Sequence, residues 1–216
     1  FPGLEGSTYS NQYMIGQSTS IVKLYELTGI DTQTGAYVFS DFNGDGKISS
    51  PDDNRIVKDL SVQYFGGWNN SFDVGQWNFS FLFQFVKQEN YNENYSNPMP
   101  GTMFNQPEGV TARWQKEGDT GPYQGYSVTN SARTAANSRF IQSDAAISDA
   151  SFIRLKNISI TYELPKKWTK KVNCKLSLQG QNVLTFTKYK GIDPEFRVSG
   201  YLPPLKIYTS SIQLSF

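Results

Sequence analysis

The densest run of potential metal ligands is Asp41-Phe42-Asn43-Gly44-Asp45-Gly46-Lys47-Ile48-Ser49-Ser50-Pro51-Asp52. Oxygen-bearing side chains fall at loop positions 1, 3, 5, 9 and 12, and Gly46 falls at position 6, where a calcium loop turns sharply. The expected ligands are Asp41, Asn43, Asp45, Ser49 and Asp52 through their side chains and Lys47 through its carbonyl, with Asp53 as a neighbouring alternative to Asp52. Hard oxygen donors at this spacing suit Ca²⁺ rather than Zn²⁺. An Asx-type turn reuses the same Asn, Asp and Gly residues without any metal. Gly35 to Phe39 has extended character, so flanking helices are not expected. Bound calcium would act as a structural clip, not as an EF-hand switch.

Other chemistry is narrowed by composition. The 216 residues include no His, which removes most zinc sites, the Ser-His-Asp triad and the commonest general base. The single Cys174 cannot form an internal disulfide and has no His to activate it. Asp193 and Glu195 could form a glycosidase-type carboxylate pair, but their place in an Asp-Pro-Glu turn favours a structural role, and no enzyme is expected. Tyr91, Tyr95, Trp114, Tyr123 and Tyr126 are candidates to stack on a substrate such as a sugar; the alternative is that they pack their own loops. Twenty Lys+Arg against 19 Asp+Glu, with no basic run, give no reason to expect a nucleic-acid partner.

The elements that must carry these groups are strands. Trp77, Phe79, Phe81, Phe83 and Phe85 alternate with Asn78, Ser80, Leu82 and Gln84, so one face of a strand is an aromatic stripe. Before it, Tyr64, Trp68 and Phe72 alternate with Gly67, Asn69, Ser71 and Asp73, and Val74-Gly75-Gln76 makes the turn of a hairpin. A second hairpin has Ile158, Ile160, Tyr162 and Leu164 on one arm, a turn from Pro165 to Lys171, and Val172, Cys174, Leu176 and Leu178 on the other. A fifth strand carries Tyr208, Ile212, Leu214 and Phe216 opposite Thr209, Ser211, Gln213 and Ser215; Ser210 interrupts its apolar series.

Two all-β architectures alternate in this way: a soluble, calcium-stabilised, carbohydrate-binding β-sandwich, and a transmembrane barrel. The mean hydropathy is −0.50, and no stretch approaches the roughly 20 apolar residues of a membrane helix. Neither fact bears on a barrel, whose strands average apolar and polar faces. Strands of about 10 residues, faces rich in Asn, Ser, Thr and Gln, and short turns (74–76 and 165–171) alternating with long loops (about 89–150 and 183–205) favour the barrel. The terminal Phe216, with apolar residues at alternating positions behind it, is similar to the C-terminal signal of outer-membrane proteins. Phe1-Pro2-Gly3-Leu4 has no leader character and reads as an interior segment.

An ordered series of motifs resembles one family, the SusC/RagA-type TonB-dependent transporters. It runs from Thr34-Gly35 through Asp41–Ile48 to Tyr64-Phe65-Gly66-Gly67, then Arg113-Trp114 and Gly118-Asp119. It continues with Ser148–Ile158, Tyr162-Glu163-Leu164-Pro165, Gln181-Asn182-Val183-Leu184, Lys188–Glu195 and the terminal Phe216. Val183 stands where Leu is more usual. The resemblance implies an antiparallel transmembrane β-barrel segment, about the last five strands of a barrel of about 22. It also implies a multi-pass place in the outer membrane of a Gram-negative bacterium and nutrient import, of oligosaccharides or peptides. The partners implied are a SusD-like surface lipoprotein, TonB acting through the N-terminal part, and the remainder of the barrel. Residues 1–61 and 89–150 are then extracellular loops, 62–88 a hairpin and 151–216 the last three strands. With a periplasmic C-terminus the turns at 74–76 and 165–171 are periplasmic. There Trp168 and Lys166, Lys167, Lys170 and Lys171 suit the lipid–water interface.

Overall fold

The computed structural model describes residues 3–4, 6–127, 132–170, 172–196 and 202–216. Phe1, Pro2, Lys171 and the parts of the two long connections at 128–131 and 197–201 lie outside the described residues. The chain divides into two compact units. One is built on Val62–Gln88 and Ala150–Phe196 with the C-terminal segment, the other on Phe1–Ser61 and Glu89–Asp149.

The first unit is a single antiparallel sheet of five strands. They are β5 (Tyr64–Val74), β6 (Trp77–Lys87), β9 (Phe152–Glu163), β10 (Asn173–Thr187) and β11 (Ile207–Ser215), in spatial order β11-β10-β9-β6-β5. The β5–β6 turn has two central residues. Gly75 takes the first at φ +63, a conformation open to glycine without steric penalty. Cross-strand partners point to the same face, so the register identifies which residues meet. Phe79 faces Phe72 and Ile160; Leu176 faces Tyr162 and Ile212; Cys174 faces Leu214. One face is therefore apolar across all five strands, and the other carries Asn78, Ser80, Gln84, Thr161, Ser177, Gln179, Thr209 and Gln213. Among the described residues of this unit no second sheet covers the apolar face, as a soluble sandwich would require.

Two irregularities keep this segregation intact. Between Leu82 and Phe83 the partners on β9 jump from Asn157 to Leu155, so Lys156 is an extra residue on β9. Without it, Ile153 and Leu155 would fall on the polar face, because a one-residue slip reverses every side chain. On β10 the register shifts between Gln181 and Leu184, where Asn182 adopts φ +52. The strand continues past this kink to Thr187. The connection expected from 183 therefore begins later, and Leu184 and Phe186 extend the apolar face. The turn expected from Pro165 to Lys171 contains a short helix, α3 (Lys166–Thr169).

The segments expected as loops have their own structure. Short strands β1 (Ile21–Leu24), β2 (Leu27–Ile30), β3 (Tyr37–Phe39), β4 (Ile56–Asp59), β7 (Glu89–Tyr91) and β8 (Ile147–Asp149) pair antiparallel as β1–β4, β2–β3 and β7–β8. Helix α1 is Glu93–Ser96 and helix α2 is Ala132–Phe140. Ala136 and Phe140, one turn apart on α2, bury against Tyr25, Tyr37 and Phe39, with the Tyr37 and Phe140 rings stacked at 4.1 Å. A second small core joins Leu24, Leu60 and Ile147, with Tyr91 against it.

Candidate functional site

The acidic loop is closed by its own backbone. Asp41 accepts from the N–H of Gly44 at 2.7 Å and of Gly46 at 2.8 Å, one bond on each carboxylate oxygen. Asn43 accepts from the Asp45 N–H, and Asp45 from the Lys47 N–H. These are nested Asx turns, and Gly44 and Gly46 both take positive φ within them. The residue that ties the two ends together is Asp53. It is buried and accepts from the N–H of Phe42 and of Ser49, both at 2.8 Å. Asp52, the expected twelfth-position ligand, is exposed. Among the described residues no three His, Cys, Asp or Glu side chains converge as a metal cage would. The donors are chemically right for calcium, and the Asp41 and Asp45 carboxylates are here engaged by N–H groups of the loop itself.

Asp53 gives this loop an acid limit. The Ser49 N–H, helped by those of Phe42 and Asn43 and by the Arg55 charge, holds its carboxyl below the ordinary value, although burial opposes the shift. An acid with a depressed folded value contributes stability above the unfolded range and loses it as pH falls through the folded value. Below about pH 4 the protection of the Phe42 and Ser49 amides, relative to an unfolded chain at the same pH, should fall. In Asp53→Asn that protection should be lost already at neutral pH and should not change with acid; an unchanged acid profile of protection would refute this role.

The five candidate stacking residues lie in the same unit and form two groups. Tyr91 and Tyr95 have ring centroids 4.2 Å apart, and Tyr95 is 42% exposed. Trp114 and Tyr123 are linked by backbone: the Trp114 N–H donates to the Tyr123 carbonyl, and Arg113 bridges Tyr123; Tyr126 joins them through arginine side chains. The Trp114 indole lies against Gly35, where a Cβ would come within 2.3 Å of the ring, and donates its N–H to the Thr32 carbonyl at 3.0 Å. Guanidinium groups cover two of these three rings. Arg133 lies 4.8 Å over Trp114, and Arg113 lies 3.6 Å over Tyr126. Arg133 also donates to the carbonyls of Thr34 and Tyr126. Trp114 thus packs its own loop, and Tyr95 and Tyr126, the latter 45% exposed, are the members that still present surface.

One polar centre was not picked out in the sequence. Arg154 lies on the polar face of β9 and is 1% exposed. It donates to Asp193 and Glu195, at 2.6 Å each, and through Nε to the Thr185 hydroxyl at 3.0 Å. Phe152 lies under the guanidinium at 5.0 Å. Asp193 uses its other oxygen on the Glu195 N–H, and Gln88 donates to the Pro194 carbonyl at 2.6 Å. The Asp-Pro-Glu turn is therefore strapped to the sheet through both of its carboxylates and the Pro194 carbonyl. A cavity of about 490 Å³ beside it is lined by Arg154, Thr185, Tyr189, Ile192, Leu205 and Lys206. The only hint in the sequence was a charge at an alternating position inside the apolar run Phe152-Ile153-Arg154-Leu155.

No protein-family model matches the chain. Curated proteins similar to it are TonB-dependent receptors of Formosa agariphila. Receptor P3 is 31% identical over 169 residues, and receptor P26 is 33% identical over 172. These alignments take in 76% and 74% of this chain but 16% of each receptor, so the chain spans about a sixth of their length. Among solved structures it is similar to the RagAB peptide transporter, with a TM-score of 0.70 and 26% identity over 89% of this chain and 22% of that one. The RagAB importer in its open-open state gives 0.69 and 25%. An antiparallel sheet with one apolar and one polar face, matching a stretch of a transporter barrel, defines the chain as part of an outer-membrane β-barrel. It belongs to the TonB-dependent receptors, of the SusC/RagA type. Among the described residues no helix is long and apolar enough to cross a membrane.

Proposed function

We propose that this chain supplies five membrane strands and an extracellular unit to a transporter that imports oligosaccharides or peptides. The transporter is energised through TonB and receives its cargo from a SusD-like lipoprotein. One observation carries the reading: a five-stranded sheet, apolar on one face, whose outer strands β5 and β11 each have a free edge among the described residues. Backbone groups in hydrocarbon must be paired, so the remainder of the barrel takes both edges. The RagAB relatives are importers of peptides and favour that half of the substrate range. Transport rather than catalysis is supported by Arg154, which engages both carboxylates that could have formed a hydrolytic pair. In this reading the hairpin turn at Gly75 and helix α3 are periplasmic, and Tyr95 and Tyr126 are the residues offered to substrate. Uptake of labelled peptides or oligosaccharides by cells carrying the complete transporter should stop when TonB is deleted. Undiminished uptake without TonB would overturn the energisation, and uptake of neither cargo class would overturn the transport reading.

Calcium at residues 41–53 is proposed on a narrower basis. Asp41 and Asp45 lie in one short loop and have no cationic partner among the described residues. An ion would relieve their mutual repulsion, and extracellular calcium fills sites with affinities of about 10⁻⁴ M. Calcium added after chelation should slow amide exchange across the loop and should do nothing in Asp45→Asn. Equal exchange with and without calcium would leave the loop to its hydrogen bonds alone.

A further inference from the structure

The apolar face is not uniform near the α3 end of the sheet. Ser210 is paired with Leu178, while Leu176 is paired with Tyr162 and Ile212. The short serine side chain leaves a groove of about 650 Å³ among Trp77, Tyr162, Leu176, Leu178 and Ile212. The Trp77 and Tyr162 rings close its end at 4.5 Å. The connection that joins the Tyr162 and Leu176 strands is helix α3 with its flanks, and this carries Lys166, Lys167 and Lys170, all exposed. None of the three pairs with a carboxylate among the described residues; Glu163, the nearest acid in sequence, is engaged by Lys175 at 3.5 Å. Trp168 is exposed in the same turn, as an interfacial anchor would be.

An apolar furrow that leads to uncompensated cations at the membrane–water boundary has the chemistry of a two-part ligand. We propose that this groove seats an acyl chain of an anionic phospholipid of the inner, periplasmic leaflet, with the headgroup phosphate held by Lys166, Lys167 and Lys170. The proposal rests on the reading that the apolar face meets lipid and that the α3 turn is periplasmic. Ser210 is what makes the seat, because an apolar residue of ordinary size there would close the furrow.

The test is lipid retention by the delipidated complete transporter in detergent, read by native mass spectrometry with phosphatidylglycerol, phosphatidylethanolamine and lipid A. Phosphatidylglycerol should be retained over phosphatidylethanolamine by about fivefold or more, the effect of one interfacial lysine. The triple variant Lys166→Gln/Lys167→Gln/Lys170→Gln should bring the ratio to about one. Ser210→Leu should lower retention of phosphatidylglycerol while heat-modifiable gel mobility shows a folded barrel. Equal retention of the two phospholipids, a preference that survives the triple variant, or lipid A as the preferred ligand would each overturn the proposal. Quenching by brominated lipid that is reduced in Trp77→Phe, Trp68 and Trp168 retaining theirs, tests the underlying reading separately. If that quenching is present without a phosphatidylglycerol preference, only the site fails; if it is absent, the lipid-facing assignment fails with it.

Discussion

Arg154→Met should release the Asp193–Glu195 turn from the sheet. The substitution keeps an unbranched apolar stem but removes the guanidinium and its charge, leaving the Asp193 carboxylate without its cation at 9% exposure. Breaking a buried ion pair by deleting one partner costs about 3–5 kcal/mol. That is enough to open a local segment in a domain whose whole stability is of order 10 kcal/mol. Faster amide exchange at Glu195 and Phe196 and new protease cleavage between 188 and 196 are the expected signs. Arg154→Lys should recover only part of the loss, because an ammonium cannot reach two carboxylates and a hydroxyl through a planar fork. The triple variant Arg154→Met/Asp193→Asn/Glu195→Gln should exchange more slowly than the single variant, since it leaves no uncompensated charge. Wild-type exchange in Arg154→Met would show that the strap does not hold the turn.

Phe81→Arg should impair barrel assembly far more than Ser80→Arg. Phe81 lies mid-strand on the apolar face, opposite Asn70 and Ile158, with the Trp68 ring edge-on at 5.2 Å. A guanidinium on the lipid face near the midplane costs about 2–4 kcal/mol, and the cost falls toward the interfaces. Ser80 is the next residue on the same strand and points to the polar face, where an Arg can stay hydrated. Because the two sites share depth, strand and neighbouring strands, the comparison isolates the face. Folded yield on heat-modifiable gels is the measurement, and equal yields would reverse the assignment of the faces.

How much of this was legible in the sequence depended on how local its cause was. The β6 stripe was readable because a period of two is set by the backbone and needs no knowledge of neighbours. The far end of β10 was misplaced because Gln181-Asn182-Val183 contains a left-handed residue, which in isolation reads as the start of a loop; only the continuing pairing of Leu184 with Leu155 shows the strand resuming. Of the short strands within residues 1–61 only β3, inside the extended Gly35–Phe39, is legible, because runs of three or four apolar residues carry no reliable period. Arg154 and its partners stand 39 and 41 residues apart, and nothing in either segment announces the other. The acidic loop was found by spacing, yet the side chain that closes it is Asp53, one position beyond the pattern. Spacing alone does not distinguish a residue that points inward from its neighbour that points out.

The free edge of β11 has a consequence for the order of events during folding. Among the described residues this strand has one partner, β10, and pairs with it along Ile207–Ser215. On the proposed function its second partner is supplied by the remainder of the barrel, so the closing seam joins segments far apart in the complete transporter. Contacts of that kind form late, because the entropy of ordering the intervening chain must be met before the seam returns any stability. Until then β11 presents a row of unsatisfied N–H and C=O groups beside exposed apolar side chains, which is a template for pairing with any other strand nearby. The rate of seam closure therefore competes with intermolecular pairing, and crossing the periplasm requires that this edge be shielded until the barrel shuts.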